Sequence, residues 1–149
     1  MTRHRVLRGT VIGRTLIRFN MDDGDFQNGW KITDFQVRCI NPQIPTEWCN
    51  AILGLNDRLN IPWDFADFNQ CPQIAWATEG AAGGASVGGR AATSLIDENE
   101  YITDDLFLIG DVTGDDADFN YYIKIESVDF SKNQGLYQAA RNAAQGAFE

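Results

Sequence analysis

The stretch DVTGDDADFNYYIKIE, Asp111 to Glu126, decides how the chain is read. It opens with four aspartates in eight residues and then becomes a run in which Tyr121, Ile123 and Ile125 alternate with Tyr122, Lys124 and Glu126. A period of two sends successive side chains to opposite faces of a strand, one towards a core and one towards water. The aspartates then form a connector between strands, where carboxylates repel foreign strand edges. Aligned as an EF-hand loop, Asp111, Thr113 and Asp115 take the first, third and fifth positions. Asp116 stands where the sharp-turn glycine belongs and Tyr122 where the bidentate glutamate belongs, so the EF-hand is excluded. Hard cations need only oxygen ligands, so an irregular Ca²⁺ site at Asp111, Asp115, Asp116 and Asp118 is the alternative reading; no other cofactor is expected.

The same alternation recurs outward from this stretch. Between Lys31 and Ile40, Phe35, Val37 and Cys39 alternate with Asp34, Gln36 and Arg38, one apolar face against one wet face. Arg5 to Phe19 is rich in β-branched residues and sets Thr15, Ile17 and Phe19 against Arg14, Leu16 and Arg18, which predicts a first strand. The Asp-Gly and Asn-Gly pairs of NMDDGDFQNGW are turn signals between these runs, and Pro42 and Pro45 end the second. From Thr46 to Thr78 the pattern is less regular. EWCNAILGL and QIAWAT predict short strands, and NDRLNIPWDFADFNQCP an aromatic loop whose Trp63, Phe65 and Phe68 cover a core.

Glu79 to Ala92, EGAAGGASVGGRAA, holds five glycines and too few large side chains to build a core. It predicts a loop over 79–92 that orders against a neighbouring chain, with Gly83, Gly84, Gly88, Gly89 and Arg90 as its contacts. SLIDENEYITDDLFLIG then predicts a strand pair or one interrupted strand. Helical spacing is confined to the C-terminus. Ser131 with Gln134 makes a capping box, and Leu136, Ala139 or Ala140, Ala143 and Ala147 share a face, which predicts a helix over 131–148. Many short strands, one terminal helix and no βαβ alternation predict an all-β fold, an antiparallel β-sandwich or single jelly roll. A length of 149 residues fits one domain, 1–149, whose residues 1–9 are a basic N-terminal arm.

The net charge of −9 is unevenly spread. Residues 1–20 carry Arg3, Arg5, Arg8, Arg14 and Arg18 and no acid, whereas Ala91 to Ile123 carries nine acids and no Lys or Arg. A dipolar chain of this kind can meet nucleic acid, or the acidic side of another copy, through its basic end, with those five arginines as contacts. On the plainer reading Arg14 and Arg18 line the wet face of the first strand. No run reaches the roughly 18 apolar residues of a membrane-spanning helix. MTRHRVLRGTVIGR also lacks the apolar centre and cleavage site of an export signal, so neither a membrane span nor export is expected.

Several chemistries fail on counting. The lone histidine, His4, lies in the basic arm, which starves Ser-His-Asp, Cys-His and His-based metal arrangements alike. Cys39, Cys49 and Cys71 match neither a disulfide framework nor paired zinc ligands and read as buried thiols, with a Cys39 to Cys49 bridge left open. GASVGGRA, Gly84 to Ala91, has phosphate-loop glycine spacing, but Arg90 replaces the lysine and Ala91 the magnesium-binding hydroxyl. Catalysis is therefore not expected. Trp30, Trp48, Trp63 and Trp76 near acids and amides suit a lectin-like or calcium-dependent carbohydrate-binding module as a second class of function.

Taken together, the basic strand-forming start RVLRGTVIGRTLIRFN, the glycine-alanine segment and the final NYYIKIE strand running into a small helix resemble a known layout. It is that of jelly-roll-type virion structural proteins, capsid or minor capsid, of tailless icosahedral viruses and phages. The resemblance implies a self-assembling subunit without catalytic activity, made in the host cytoplasm and resident in the virion. Its partners would be copies of itself, other virion proteins, and nucleic acid through the arginine arm.

Overall fold

The computed structural model describes residues 2–22, 28–40, 47–57, 59, 73–82, 89–112, 118–131 and 134–144. In chain order they form β1 (His4–Val11), β2 (Ile17–Asn20), β3 (Asn28–Cys39), β4 (Trp48–Gly54), β5 (Gln73–Ala82), β6 (Gly89–Ile96), β7 (Asp105–Val112), β8 (Phe119–Asp129) and α1 (Gln134–Ala144). The strands make two antiparallel sheets, one of order β1-β8-β3 and one of order β2-β7-β4-β5-β6. The fold is thus all-β, two antiparallel sheets with one short helix. β3 packs over β4, β5 and β6, so the inner faces of the sheets share a core.

Alternation explains the three-stranded sheet. Along β8, Phe119, Ile123 and Ile125 are buried while Asn120, Tyr122 and Lys124 are exposed. β3 obeys the same rule twice. Trp30 and Ile32 are buried before a register shift between Ile32 and Asp34, and Phe35, Val37 and Cys39 after it. One extra residue, Thr33, changes which parity faces inward, as a β-bulge must. The hydroxyl of Thr33 donates to the Lys124 carbonyl across the bulge.

The run from Arg5 to Phe19 is two strands in different sheets rather than one. β1 pairs with β8, whereas β2 pairs with β7. The break is at Gly13, whose φ of 65° belongs to the left-handed region that a side chain disfavours. Its N–H donates to Asp118 Oδ1 at 2.8 Å, and Thr15 Oγ1 donates to the Ile12 carbonyl at 2.7 Å. Sequence periodicity carries through such a corner because both strands alternate, so it cannot mark where the chain changes sheet. Residues 4–9 of the expected arm are likewise part of β1, held along their length by β8.

The glycine-alanine segment read as a loop over 79–92 is in strand at both its ends. β5 runs to Ala82 and β6 starts at Gly89, paired as Ala82↔Gly89 and Ala81↔Arg90. Small residues here serve close packing: a Cβ at Gly80 would fall within the indole of Trp48, which lies across it. β4, β5 and β7 are buried on both faces. Their inner residues, among them Cys49, Leu53, Ala75 and Leu108, join the core between the sheets. Their outer residues Ile52, Trp76 and Ile109 make a second cluster under Leu59. Trp63, Phe65 and Phe68 lie outside the described residues, as do Pro42, Pro45 and Cys71.

The helix is described from Gln134 to Ala144, within the expected 131–148, whose residues 132–133 and 145–148 lie outside the described residues. Ser131 gives its N–H to Asp129 Oδ1 in a turn after β8. Ala140 and Ala144 are buried, Ala144 against the shared core, while Ala139 is exposed. Tyr137 meets the Phe130 ring at 5.7 Å, and Phe130 meets Tyr101 edge-on at 5.4 Å. The helix therefore docks on one end of the sandwich through alanine contact and this aromatic series.

Candidate functional site

The residues singled out from the sequence are dispersed by the fold. Arg18 reaches Asp105 at 2.7 Å across the β2–β7 pair, and Arg14, at the corner, reaches Asp111 at 2.9 Å. Asp111 is nearly buried and its Oδ1 also accepts the Val112 N–H. The opposite charges at the two ends of the sequence thus meet inside one chain. Arg3 lies near the start of β1, with its guanidinium 5.5 Å from the Trp30 ring and its backbone joined to Ser127 in both directions. Arg5 and Arg8 are exposed on β1. Three of the five arginines thus lie on or beside β1, and Arg14 and Arg18 are each paired with an aspartate of β7.

The acidic connector is tied to the same corner. Asp118 takes the Gly13 N–H and Asp111 takes Arg14, which fastens the β7–β8 connection to the β1–β2 connection. Asp115 and Asp116 lie outside the described residues, as do Gly83, Gly84 and Gly88. Among the described residues no group of three or more His, Cys, Asp or Glu side chains is placed to hold a metal ion. Among them, too, no helix is long and apolar enough to cross a membrane. Gly89 and Arg90 open β6.

What the fold does assemble is a pair of surfaces. The first is the outer edge of β6. β6 ends the five-stranded sheet, and Ala91, Ala92, Thr93, Ser94 and Leu95 are all exposed, Leu95 at 52%. No charged side chain falls between Ala91 and Ile96. The other edges are guarded in the ways that deter strand addition. β1 carries His4, Arg5 and Arg8, β2 is four residues long and carries Arg18, and β3 carries a bulge with Lys31, Asp34 and Arg38.

The second surface is the outer face of β1-β8-β3. Register sets its rows across the three strands: His4, Glu126 and Lys31; Val6, Lys124 and Asp34; Arg8, Tyr122 and Gln36; Thr10, Asn120 and Arg38. Glu126 lies 2.9 Å from Lys31 and 4.0 Å from His4. The Glu126 hydrogen bond, then its charge, hold the Lys31 ammonium above its ordinary range. Gln36 donates to Asp34 Oδ1 at 3.1 Å and accepts from Arg38 at 3.2 Å, so the outer side of β3 is a relay from carboxylate to guanidinium. Tyr122 stands in the centre strand, 37% exposed.

Sequence reasoning passed over two features. Glu79, assigned to a loop, is buried on β5 and accepts the backbone N–H of Cys39 at 2.9 Å. The second is the face shared by Tyr122, Lys124 and Arg38: alternation puts each on the wet side of its own strand, but only the β3–β8 register brings them together. Cys39 and Cys49 are buried thiols that form no disulfide with each other. At the end of the three-stranded sheet Thr2, Arg3, Asn28, Ser127 and Asp129 line a polar depression of about 240 Å³. No protein-family model matches the chain, and no curated protein matches it either.

Proposed function

We propose that this chain is a structural, self-assembling β-sandwich subunit that joins copies of itself through the outer edge of β6. The observation that carries this reading is the contrast among edges: three are charged, short or bulged, and the fourth is eight residues long, carries Arg90 near its start, and then runs exposed from Ala91 to Leu95 with no charge from Ala91 to Ile96. A strand presenting unpaired N–H and C=O groups in this way accepts another strand by main-chain hydrogen bonding, with side chains setting specificity. The natural occupant is β6 of a second copy, because two identical antiparallel edges pair about a twofold axis and close the contact. A coat, vertex or minor capsid role in a virion, without catalysis, is the setting that the sandwich layout resembles.

Multi-angle light scattering tests it. The purified chain is expected to run as a dimer or larger species, and Thr93→Lys with Leu95→Lys, both on exposed positions, to convert it to monomer with an unchanged circular dichroism spectrum. A strict monomer at high protein concentration would end the proposal.

A further inference from the structure

We propose that the outer face of β1-β8-β3 is a binding platform for single-stranded nucleic acid, centred on Tyr122. The proposal does not depend on association through β6, which lies in the other sheet.

Its basis is a reversal of charge. The whole chain carries −9, yet this face sets Arg8, Lys31, Arg38 and Lys124 against Asp34 and Glu126. Glu126 is engaged by Lys31 and Asp34 by Gln36. Arg8 and Lys124 are exposed and have no acidic partner among the described residues. Arg38 is steadied by Gln36 and by the Val37 carbonyl, which leaves the rest of its guanidinium fork free to donate.

Geometry gathers these cations around one ring. Arg8 is directly opposite Tyr122 on β1, and Arg38 is diagonal to it on β3. Lys124 is two residues along β8 on the same face. Directly opposed side chains in an antiparallel pair start about 5 Å apart and diagonal ones about 7–8 Å, within reach of long side chains. Strand propensity alone accounts for a tyrosine on a wet sheet face. It does not account for three cations around that tyrosine, with one carboxylate among them, in a strongly acidic protein.

The chemistry fits a single strand. Phosphates meet Arg8, Arg38 and Lys124, and an unstacked base lies on the exposed phenol ring, as bases do on aromatic side chains between cations. Asn120, whose carbonyl oxygen accepts the Thr10 hydroxyl at 2.7 Å, keeps amide donors for a base edge or sugar. A duplex offers no unstacked base to the ring, because its bases are stacked inside.

Fluorescence anisotropy with the full chain and labelled oligo-dT and oligo-rU strands is the test, run from 50 to 200 mM salt against a duplex of equal length. Three phosphate contacts predict a slope of log affinity on log salt of about −2 for single strands. Tyr122→Ala is expected to weaken binding roughly 5- to 150-fold with the slope unchanged, and Tyr122→Phe to retain it. Arg8→Gln and Lys124→Gln are each expected to flatten the slope by about 0.7. These are surface substitutions, and thermal melts verify that each variant is folded. Four results would overturn the proposal: no binding at 50 mM salt, preference for duplex, loss on Arg18→Gln without loss on Tyr122→Ala, or equal competition by polyglutamate. The last would identify an acidic protein segment as the occupant instead.

Discussion

The two outer faces of the sandwich are built on opposite rules. Across β1-β8-β3 the outer side chains are charged, hydroxylic or amide, with Val6 and Tyr122 as the large exceptions. Across β7-β4-β5 the outer side chains Ile109, Ile52 and Trp76 are buried beneath Leu59. One sheet has a single apolar face and the other has two. A three-stranded sheet therefore closes the core from one side only, while the central strands of the five-stranded sheet are buried on both faces. Mutation at matched positions should read that difference directly.

The largest effect is expected where both sheets contribute. Phe119 is fully buried, and its ring lies 2.6 Å from where a Cβ on Gly110 would be, so it is packed tightly between the sheets. Phe119→Ala should cost about 3–5 kcal/mol in chemical denaturation. Next comes the comparison itself. Trp76→Ala removes a buried indole whose N–H donates to Gln73, at about 3 kcal/mol, whereas Tyr122→Ala on the wet face should cost less than about 1 kcal/mol. Equal losses in the two variants would show that the faces do not differ as described.

Smaller effects probe how the faces are joined. Asp111→Asn weakens the Arg14 pair at the corner and should cost about 1.5 kcal/mol, less than a fully buried pair because Arg14 is half exposed. The smallest is at Glu100, in the turn between β6 and β7. Burial, then the charge of Asp97, hold its carboxyl above the ordinary value of 4.5. The folded state therefore keeps this proton more tightly than the unfolded chain, and stability is lost as pH rises through and above that value. Glu100→Gln should raise the melting temperature slightly at pH 7 and leave it unchanged near pH 4.

The same contrast explains what could be read from sequence. β3 and β8 are wet on one side, so Phe35, Val37, Ile123 and Ile125 stood out by alternation and are buried. β4 and β5 are apolar on both sides, so periodicity fades there, although both strands were still recognisable as short apolar runs. Glycine misled in β5 because Gly80 is needed for the Trp48 ring rather than for flexibility. The basic and acidic regions were legible as composition. Their meeting at Arg14–Asp111 and Arg18–Asp105 was not, because it depends on Gly13 turning the chain from one sheet into the other.

That corner makes the molecule resemble a bound book. The β1–β2 and β7–β8 crossings are laced together along one side by Gly13, Arg14, Asp111 and Asp118, and they form its spine. β3 and β6 are the margins on the far side, packed against each other without strand pairing, while β3 is tied to the other sheet by Cys39 N–H donating to Glu79 and bridges through Trp30 to Ile102 ahead of β7. If a second copy grips β6, it grips the fore-edge, so each neighbour would be added at the margin opposite the spine.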